Sequence, residues 1–477
     1  MERDESGGLS REELLALLAQ QAEVIGRQQA ELAEREAAIE RRDEKIRELE
    51  EELSQFRRPA KTPDNSSVPP SRGQKANRAD GRRRKHGPKR GHVGVSRVRS
   101  EPDVVVECRP SACAGCGEAL PQAGGRRVGR SQVTDLPAFA PVVIEARQYA
   151  MTCAGCGERT VGSYPVGLEP RRTFGPGIEA LVSYFHERHH VGYERLVEVC
   201  RDVFGLRISQ GGVENALRRL VERARPTYAA IREAVRGSPV INSDETGARV
   251  AGRTRWQWVF QTPEASYHVI APGRGGEVID AFLAGAEPEV WGSDLWAPQM
   301  LTPATAHQIC HSHQARDLTF ASEADTGDER VWALELRHVF GRAIRLHHER
   351  EQVTPETFAR RRLLIEHATD RLVSDRYVAP KTEAARLQRR YRTHRDSLYV
   401  FLDRDDVDPT NNGSERDLRP SVIHRKVIGG FRSDRGAEAS AIRTTILATA
   451  RKQRQNLLDA LRAIAGPSPL QAIPTPS

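Results

Sequence analysis

Apolar residues return every seven positions near the amino terminus, at Leu18, Ile25, Leu32, Ile39, Ile46 and Leu53. That spacing is one seam of a heptad repeat and predicts a long helix over 11–56. The second seam reads Leu14, Gln21, Gln28, Arg35, Arg42, Leu49 and Phe56, apolar at its ends and polar in its middle. A modest parallel coiled coil over 1–56, and hence a homo-oligomer, is the preferred reading; a lone solvated helix is the alternative. The repeat then stops. Residues 57–100 carry Pro, Gly, Ser and the run Arg82-Arg83-Arg84-Lys85, with too few apolar positions to offset the entropy of ordering them.

Helical periodicity resumes over 166–236. An amphipathic stretch, Ile178–His189, is followed by Tyr193–Phe204, a turn at Gly205–Ser209, and a helix from Gln210 to Glu222 with Ser209 as its N-cap. Helix, short glycine-containing turn, helix is the helix-turn-helix outline; an ordinary helical hairpin is the alternative. Its second helix would present Gln210, Glu214, Asn215, Arg218 and Arg219. Beyond Pro239 the period falls to two. Val240–Ser243 reads as a strand ending at Asp244. Trp256–Phe260 and Tyr267–Ile270 read as a hairpin turning at Pro263-Glu264. Gly276–Ala284 reads as a helix, Val290–Ser293 as a strand ending at Asp294, and His307–His311 as a fifth edge segment. Between Asp294 and Glu415 lie 120 residues, helical over Glu329–Glu351, Pro355–Ser374 and Thr382–Leu402. They read as a helical insertion, with a passive scaffold as the bland alternative. The tail over 466–477 is Pro-rich and reads as loose.

The 477 residues leave room for about three units. No apolar run approaches the ~18 residues that span a bilayer, and the polar, acidic start carries no signal peptide, so a cytoplasmic protein without membrane contact is expected. The net charge of +8 is unevenly placed: residues 57–100 hold 14 basic and 2 acidic residues, leaving the rest mildly acidic. A basic arm of this density points to DNA, whose counterions it would release; a solubilising linker is the other reading.

Seven cysteines are too few and too clustered for a disulfide scaffold. The pentapeptide Cys-Ala-Gly-Cys-Gly occurs twice, at Cys113–Gly117 and Cys153–Gly157. Two such knuckles match one structural Zn²⁺ held by Cys113, Cys116, Cys153 and Cys156, a zinc ribbon over 101–165. A redox pair is the minor alternative, and Cys108 is a spare thiol. Val142–Ala146 would supply ribbon strand.

Three carboxylates suggest phosphate chemistry. Asp244 and Asp294 each close a strand, and adjacent strand ends can bring them together; left without cations, two such groups repel. Glu415 follows the loop Asp408-Pro-Thr-Asn-Asn-Gly-Ser, with Arg416, Arg419, Arg425 and Lys426 close behind. Asx turns and a capping carboxylate are the structural readings of the same residues. His307, Cys310, His311 and His313 could form a second zinc cluster, but a supporting role near the carboxylates is preferred.

At this point the chain resembles the insertion-sequence 66 family of DDE transposases over nearly its whole length. The matching pieces are Asn65-Ser66-Ser67 with Pro69-Pro70-Ser71, Gly91-His92-x-Gly94, the two Cys pairs and Asp244-Glu245-Thr246-Gly247. Asp294, Cys310-x-x-His313-x-x-Arg316, Asn411-Asn412-x-x-Glu415-Arg416, Arg419-Pro420 and Arg425-Lys426 complete them. Trp296 departs from the family's usual Tyr but keeps its aromatic character. The resemblance implies an RNase H-like core over 237–320 and 405–465, interrupted by the insertion 321–404. It implies that Asp244, Asp294 and Glu415 hold two Mg²⁺ ions, with Cys310, His313 and Arg316 supporting them. Water would nick DNA at the element's ends, and the freed 3′-hydroxyl would attack target DNA. DNA would be bound by Arg82, Arg83, Arg84, Lys85, Arg218, Arg219, Arg416, Arg419, Arg425 and Lys426. Accessory proteins of the same element and action on the bacterial nucleoid also follow from the resemblance. The expected whole is a multidomain α+β protein. Its competitors are a zinc-containing DNA-binding regulator without catalysis and a structure-specific nuclease.

Overall fold

The computed structural model describes residues 11–57, 59–62, 65, 99–165 and 167–467. The basic run Arg82–Lys85 and all but the start of the 466–477 tail lie outside them. The described chain forms two compact units, one drawn from Met1–Gly73 and Ala229–Val422, the other from Gln74–Tyr228 and Ile423–Ser477.

In the second unit, residues 99–165 are almost wholly exposed. Their strands are β1 (Ala150–Thr152) and β2 (Arg159–Val161), paired antiparallel around the second knuckle. A single bridge, Ala112 with Ala119, flanks the first knuckle in the same way. The expected strand at Val142–Ala146 does not form: those residues carry no regular secondary structure and are mostly exposed, and pairing occurs where the knuckle turn folds the chain back on itself. Further on come the helix Pro176–Ser183, a π-helical turn Tyr184–Arg188 and the helix Tyr193–Phe204. That last helix ends at Gly205, where φ of +61° suits glycine. The next helix, Gln210–Arg236, begins where the sequence places it, with the Ser209 hydroxyl accepting from the Gly212 amide at 3.1 Å, but runs well past Glu222. Leu196, Cys200, Ile208, Val213 and Leu217 form the small core under these helices. The unit closes with Asp434–Lys452 and Leu457–Ala465.

The first unit opens with one 47-residue helix, Arg11–Arg57, whose seam residues Leu18, Ile25, Leu32, Ile39 and Ile46 are more than half exposed. Its sheet has five strands: β3 (Val240–Val250), β4 (Arg253–Gln261), β5 (Ser266–Ala271), β6 (Val290–Ser293) and β7 (Ala306–Ile309). Their order is β5-β4-β3-β6-β7. Around the central β3, the β4 and β5 side is antiparallel, and the β6 and β7 side is parallel. β3 is longer than its apolar start suggests. It continues through Asp244 and Glu245 because β4 pairs with it to the end, the two joined by a tight turn at Ala251 and Gly252, both with positive φ. Asp244 therefore lies inside a strand, just past the point where β6 stops pairing, rather than at a strand end.

The long helical stretch packs on this sheet. His311–Ala324, Gly327–His348, Pro355–Asp370 and Glu383–Thr393 share one core with the strands, in which Val240, Val290 and Ile309 join Leu318, Trp332, Phe340 and Tyr391. The helices expected as an insertion are thus continuous with the hydrophobic interior of the sheet. Asn65 adds a tether: it is buried, and its Nδ2 donates to Glu323 Oε2 at 2.6 Å.

Candidate functional site

Parallel register aligns the first two carboxylates. Asn242 pairs with Gly292, so Asp244 and Asp294 each stand two residues beyond a matched pair. The approach is close: a Cβ on Gly292 would fall 1.9 Å from Asn242 Oδ1, so a larger residue there would push the Asn242 side chain aside. Asp294 folds into a turn in which its Oδ1 accepts from the Trp296 amide at 3.0 Å.

Glu415 arrives by a separate route. Buried Asn411 donates from Nδ2 to the Ser243 carbonyl on β3 at 2.6 Å, and its amide donates to Cys310 Sγ at 3.1 Å, just past β7. Its Oδ1 accepts from Ser414, and the Pro409 carbonyl accepts from the His311 amide at 3.0 Å. The loop is thereby fixed against the strand ends, and the helix Asn412–Ile428 starts with Glu415 in its first turn. Gln257 with Ser421, and Ser266 with Asp417, hold the same helix to β4 and β5. Arg316 reaches Glu415 Oε1 at 3.4 Å, and His313 Nε2 stands 3.7 Å from the same oxygen.

Asp244 keeps part of its surface open to solvent yet is enclosed by protein elsewhere. Its pKa is raised well above the usual carboxylate value, first by burial, then by the negative charges of Glu245, Asp294 and Glu415. Asp244 therefore feels the charges of the two other residues singled out from the sequence. Burial and the Arg316 charge lower the His313 pKa, while Glu415 and Asp294 oppose that shift. Burial pushes the Cys310 thiol up to about 11, so it is a neutral, inert neighbour. His311 does not join the group: it is sealed among Phe340, Tyr399 and Phe401, with Nε2 2.6 Å from the Leu398 carbonyl.

A fourth carboxylate was missed by sequence reasoning. Glu245 is buried, takes Arg274 at 2.6 and 2.7 Å and accepts from Gln299 Nε2 at 2.7 Å. The Arg274 guanidinium lies over both Trp256 and Trp296, 4.8 and 4.1 Å from the ring centroids. The Asp244-Glu245 dipeptide was the one available signal; its partners lie far along the chain.

The two knuckles are near copies. In each, the Gly after the second Cys has φ near +75°, the first Cys carbonyl accepts from that Gly at 2.9 Å, and the first Cys amide donates to the following Glu at 2.8 Å. Backbone amides directed at Cys113 and Cys153 lower both thiol pKa values, which favours the ligating thiolate form. Among the described residues, three ligating atoms come within 4.8 Å of one another at His186, Glu187 and His424.

Of the basic residues, Arg218, Arg416, Arg419 and Lys426 are exposed and Arg425 is half-buried. Arg219 is bound to Glu179, a fully buried carboxylate that also takes Arg172, so its charge is spent inside the fold and Arg218 is the open one of the pair.

Residues 171–439 match the family model described as Transposase IS66 family. The chain belongs to the IS66 transposase family. The matched region contains Asp244, Asp294 and Glu415, together with both ends of the sheet; the long first helix and the knuckles precede it. No curated protein matches the chain. Membership carries a transposase role and DNA as a partner. Among the described residues of this transposase, no helix is long and apolar enough to cross a membrane.

Proposed function

We propose that this transposase cuts DNA at the ends of its element and joins the freed 3′-hydroxyl to target DNA by in-line transesterification. Asp244, Asp294 and Glu415 are its catalytic carboxylates. The observation that carries the reading is the alignment of Asp244 and Asp294 by the Asn242–Gly292 pair, with Glu415 brought to the same electrostatic neighbourhood by Asn411. The strand order, antiparallel on one side of β3 and parallel on the other, suits an RNase H-like core.

The donor set fits hard divalent cations, because the negative charges of Glu245, Asp294 and Glu415 crowd the enclosed Asp244 carboxylate, a repulsion that positive charge relieves, and carboxylates supply the oxygen ligands Mg²⁺ prefers. Asp244, Asp294 and Glu415 would hold two Mg²⁺ ions, which supply charge stabilisation and water activation when bound. The protein's own part is positioning. Arg316 and His313 hold the Glu415 carboxylate, Asn411 sets its helix, and Arg416 and Arg419 offer exposed guanidinium groups for phosphates. Glu245 is occupied by Arg274 and Gln299 and serves as scaffold.

The remaining modules serve end recognition and assembly. The exposed heptad seam pairs with further copies as a parallel coiled coil. One Zn²⁺ joins the knuckles through Cys113, Cys116, Cys153 and Cys156. Helix Gln210–Arg236 presents Arg218 to DNA, and the basic arm adds phosphate contacts. The site of action is the bacterial nucleoid, with accessory proteins of the same element. A non-catalytic regulator is disfavoured, because the family match spans all three carboxylates. Strand-transfer assays on element-end DNA test the reading. Glu415→Gln is expected to abolish nicking and joining while DNA affinity stays within about twofold; joining retained in that variant would overturn the triad, and nicking without joining by the unaltered protein would mark a nuclease.

A further inference from the structure

A second cluster lies in the other unit. His186, Glu187 and His424 place one ligating atom each within 4.8 Å of one another, and all three are buried. His186 and Glu187 are neighbours on the π-helical turn Tyr184–Arg188, a local widening that often marks functional positions. His424 comes from a segment remote in sequence; its ring centroid is 5.0 Å from that of His186 and 5.5 Å from that of His190.

The hydrogen bonding leaves a gap of definite shape. His186 Nδ1 lies 2.9 Å from the Val191 carbonyl, which only accepts, so Nδ1 carries the proton and Nε2 keeps its lone pair. A histidine ligand orients itself in this way, with its far nitrogen donating to a carbonyl. His424 is buried with neither ring nitrogen partnered, and His190 Nδ1 is likewise buried and unpartnered. Native interiors seldom leave such groups unsatisfied without a missing occupant. Glu187 accepts from Ser440 at 2.7 Å, from Thr444 at 3.0 Å and from Arg443 at 3.0 Å. A carboxylate has about four lone-pair positions, so one remains.

We propose that His186, His424 and Glu187 form a structural site for a first-row transition-metal dication such as Zn²⁺, with His190 beside it as a fourth donor. Imidazole-rich donors select zinc, cobalt or nickel over magnesium. The Arg443–Glu187 pair offsets the local negative charge, so the imidazoles carry the affinity and the pocket discriminates against hard cations. The ion would tie the π-helical turn to the segment bearing His424. It is distinct from the thiolate site and from the catalytic carboxylates in both residues and ligand type.

The test uses the full chain with Cys113→Ser, Cys153→Ser, Asp244→Asn and Glu415→Gln, which removes the thiolate and the carboxylate sites, freed of metal and titrated with Co²⁺. One Co²⁺ per chain is expected to remain bound, with no thiolate charge-transfer absorption, and to raise the melting temperature. His424→Asn in that background should lose the ion and the thermal shift. X-ray absorption of the cobalt-loaded chain should show a nitrogen and oxygen shell with imidazole scattering; this reading needs no histidine variant and stands even if His424→Asn fails to fold. A folded chain that binds no Co²⁺, a sulfur-containing shell, or full retention of cobalt in a folded His424→Asn variant would overturn the proposal.

Discussion

Around the two knuckles, Val104, Val105, Val106, Val143 and Met151 are all open to solvent, whereas in the sheet Val240, Trp258, Phe260 and Trp291 are sealed. Both regions carry candidate metal ligands. In the knuckle region the ligands are set by two short turns that the pentapeptide dictates locally, and little apolar burial supports them. In the sheet the carboxylates are set by register, by the absent side chain of Gly292 and by Asn411, all of which depend on a packed interior. If zinc joins the knuckles, the first region should depend on it for order; the second should hold its geometry without an ion.

Cys113→Ser should release zinc, removing a binding free energy on the order of 10 kcal/mol that such sites lend to folding. Metal analysis should show the loss, and hydrogen exchange should quicken over 99–165 while β3 to β7 stay protected. Unchanged zinc content would refute the ligand set.

Acid should then act on the sheet unit. Burial lowers the His311 pKa to about 4, so the unfolded chain binds the extra proton below about pH 6.5 and the folded chain only near pH 4. Stability is full above pH 6.5 and falls towards pH 4, by on the order of 3 kcal/mol for this residue. Denaturant melts across that range should show the fall, and His311→Phe should lessen it, the other buried histidines of the unit keeping the remainder.

Gly292→Ala forces a methyl group onto the Asn242 amide and should cost about 1–3 kcal/mol, read as a lower thermal midpoint. Asn411→Ala removes the links to Ser243 and Cys310 and should cost about 1–3 kcal/mol. Its mark is selective: cleavage should fall by more than DNA affinity, because the helix bearing Glu415 loses its anchor.

Legibility in the sequence followed the same division. Helix Tyr193–Phe204, the Ser209 cap and the hairpin through Trp258 and Tyr267 were readable because period and turn chemistry are local. The extension of β3 through Asp244 to Val250 was not, because charged residues continue a strand there only on the strength of pairing with β4. Val142–Ala146 had strand composition but found no partner. Glu245 with Arg274 and Gln299, and His186 with His424, meet only after folding, so beyond the Asp244-Glu245 dipeptide no motif announced either group.

If Asp244, Asp294 and Glu415 form one cation site, the anomalous scattering of Mn²⁺ in crystals of the protein will show one or two peaks bounded by these three carboxylates, about 3.5–4 Å apart if two are present. Manganese bound elsewhere, with the Glu415 carboxylate out of coordination range, would contradict it.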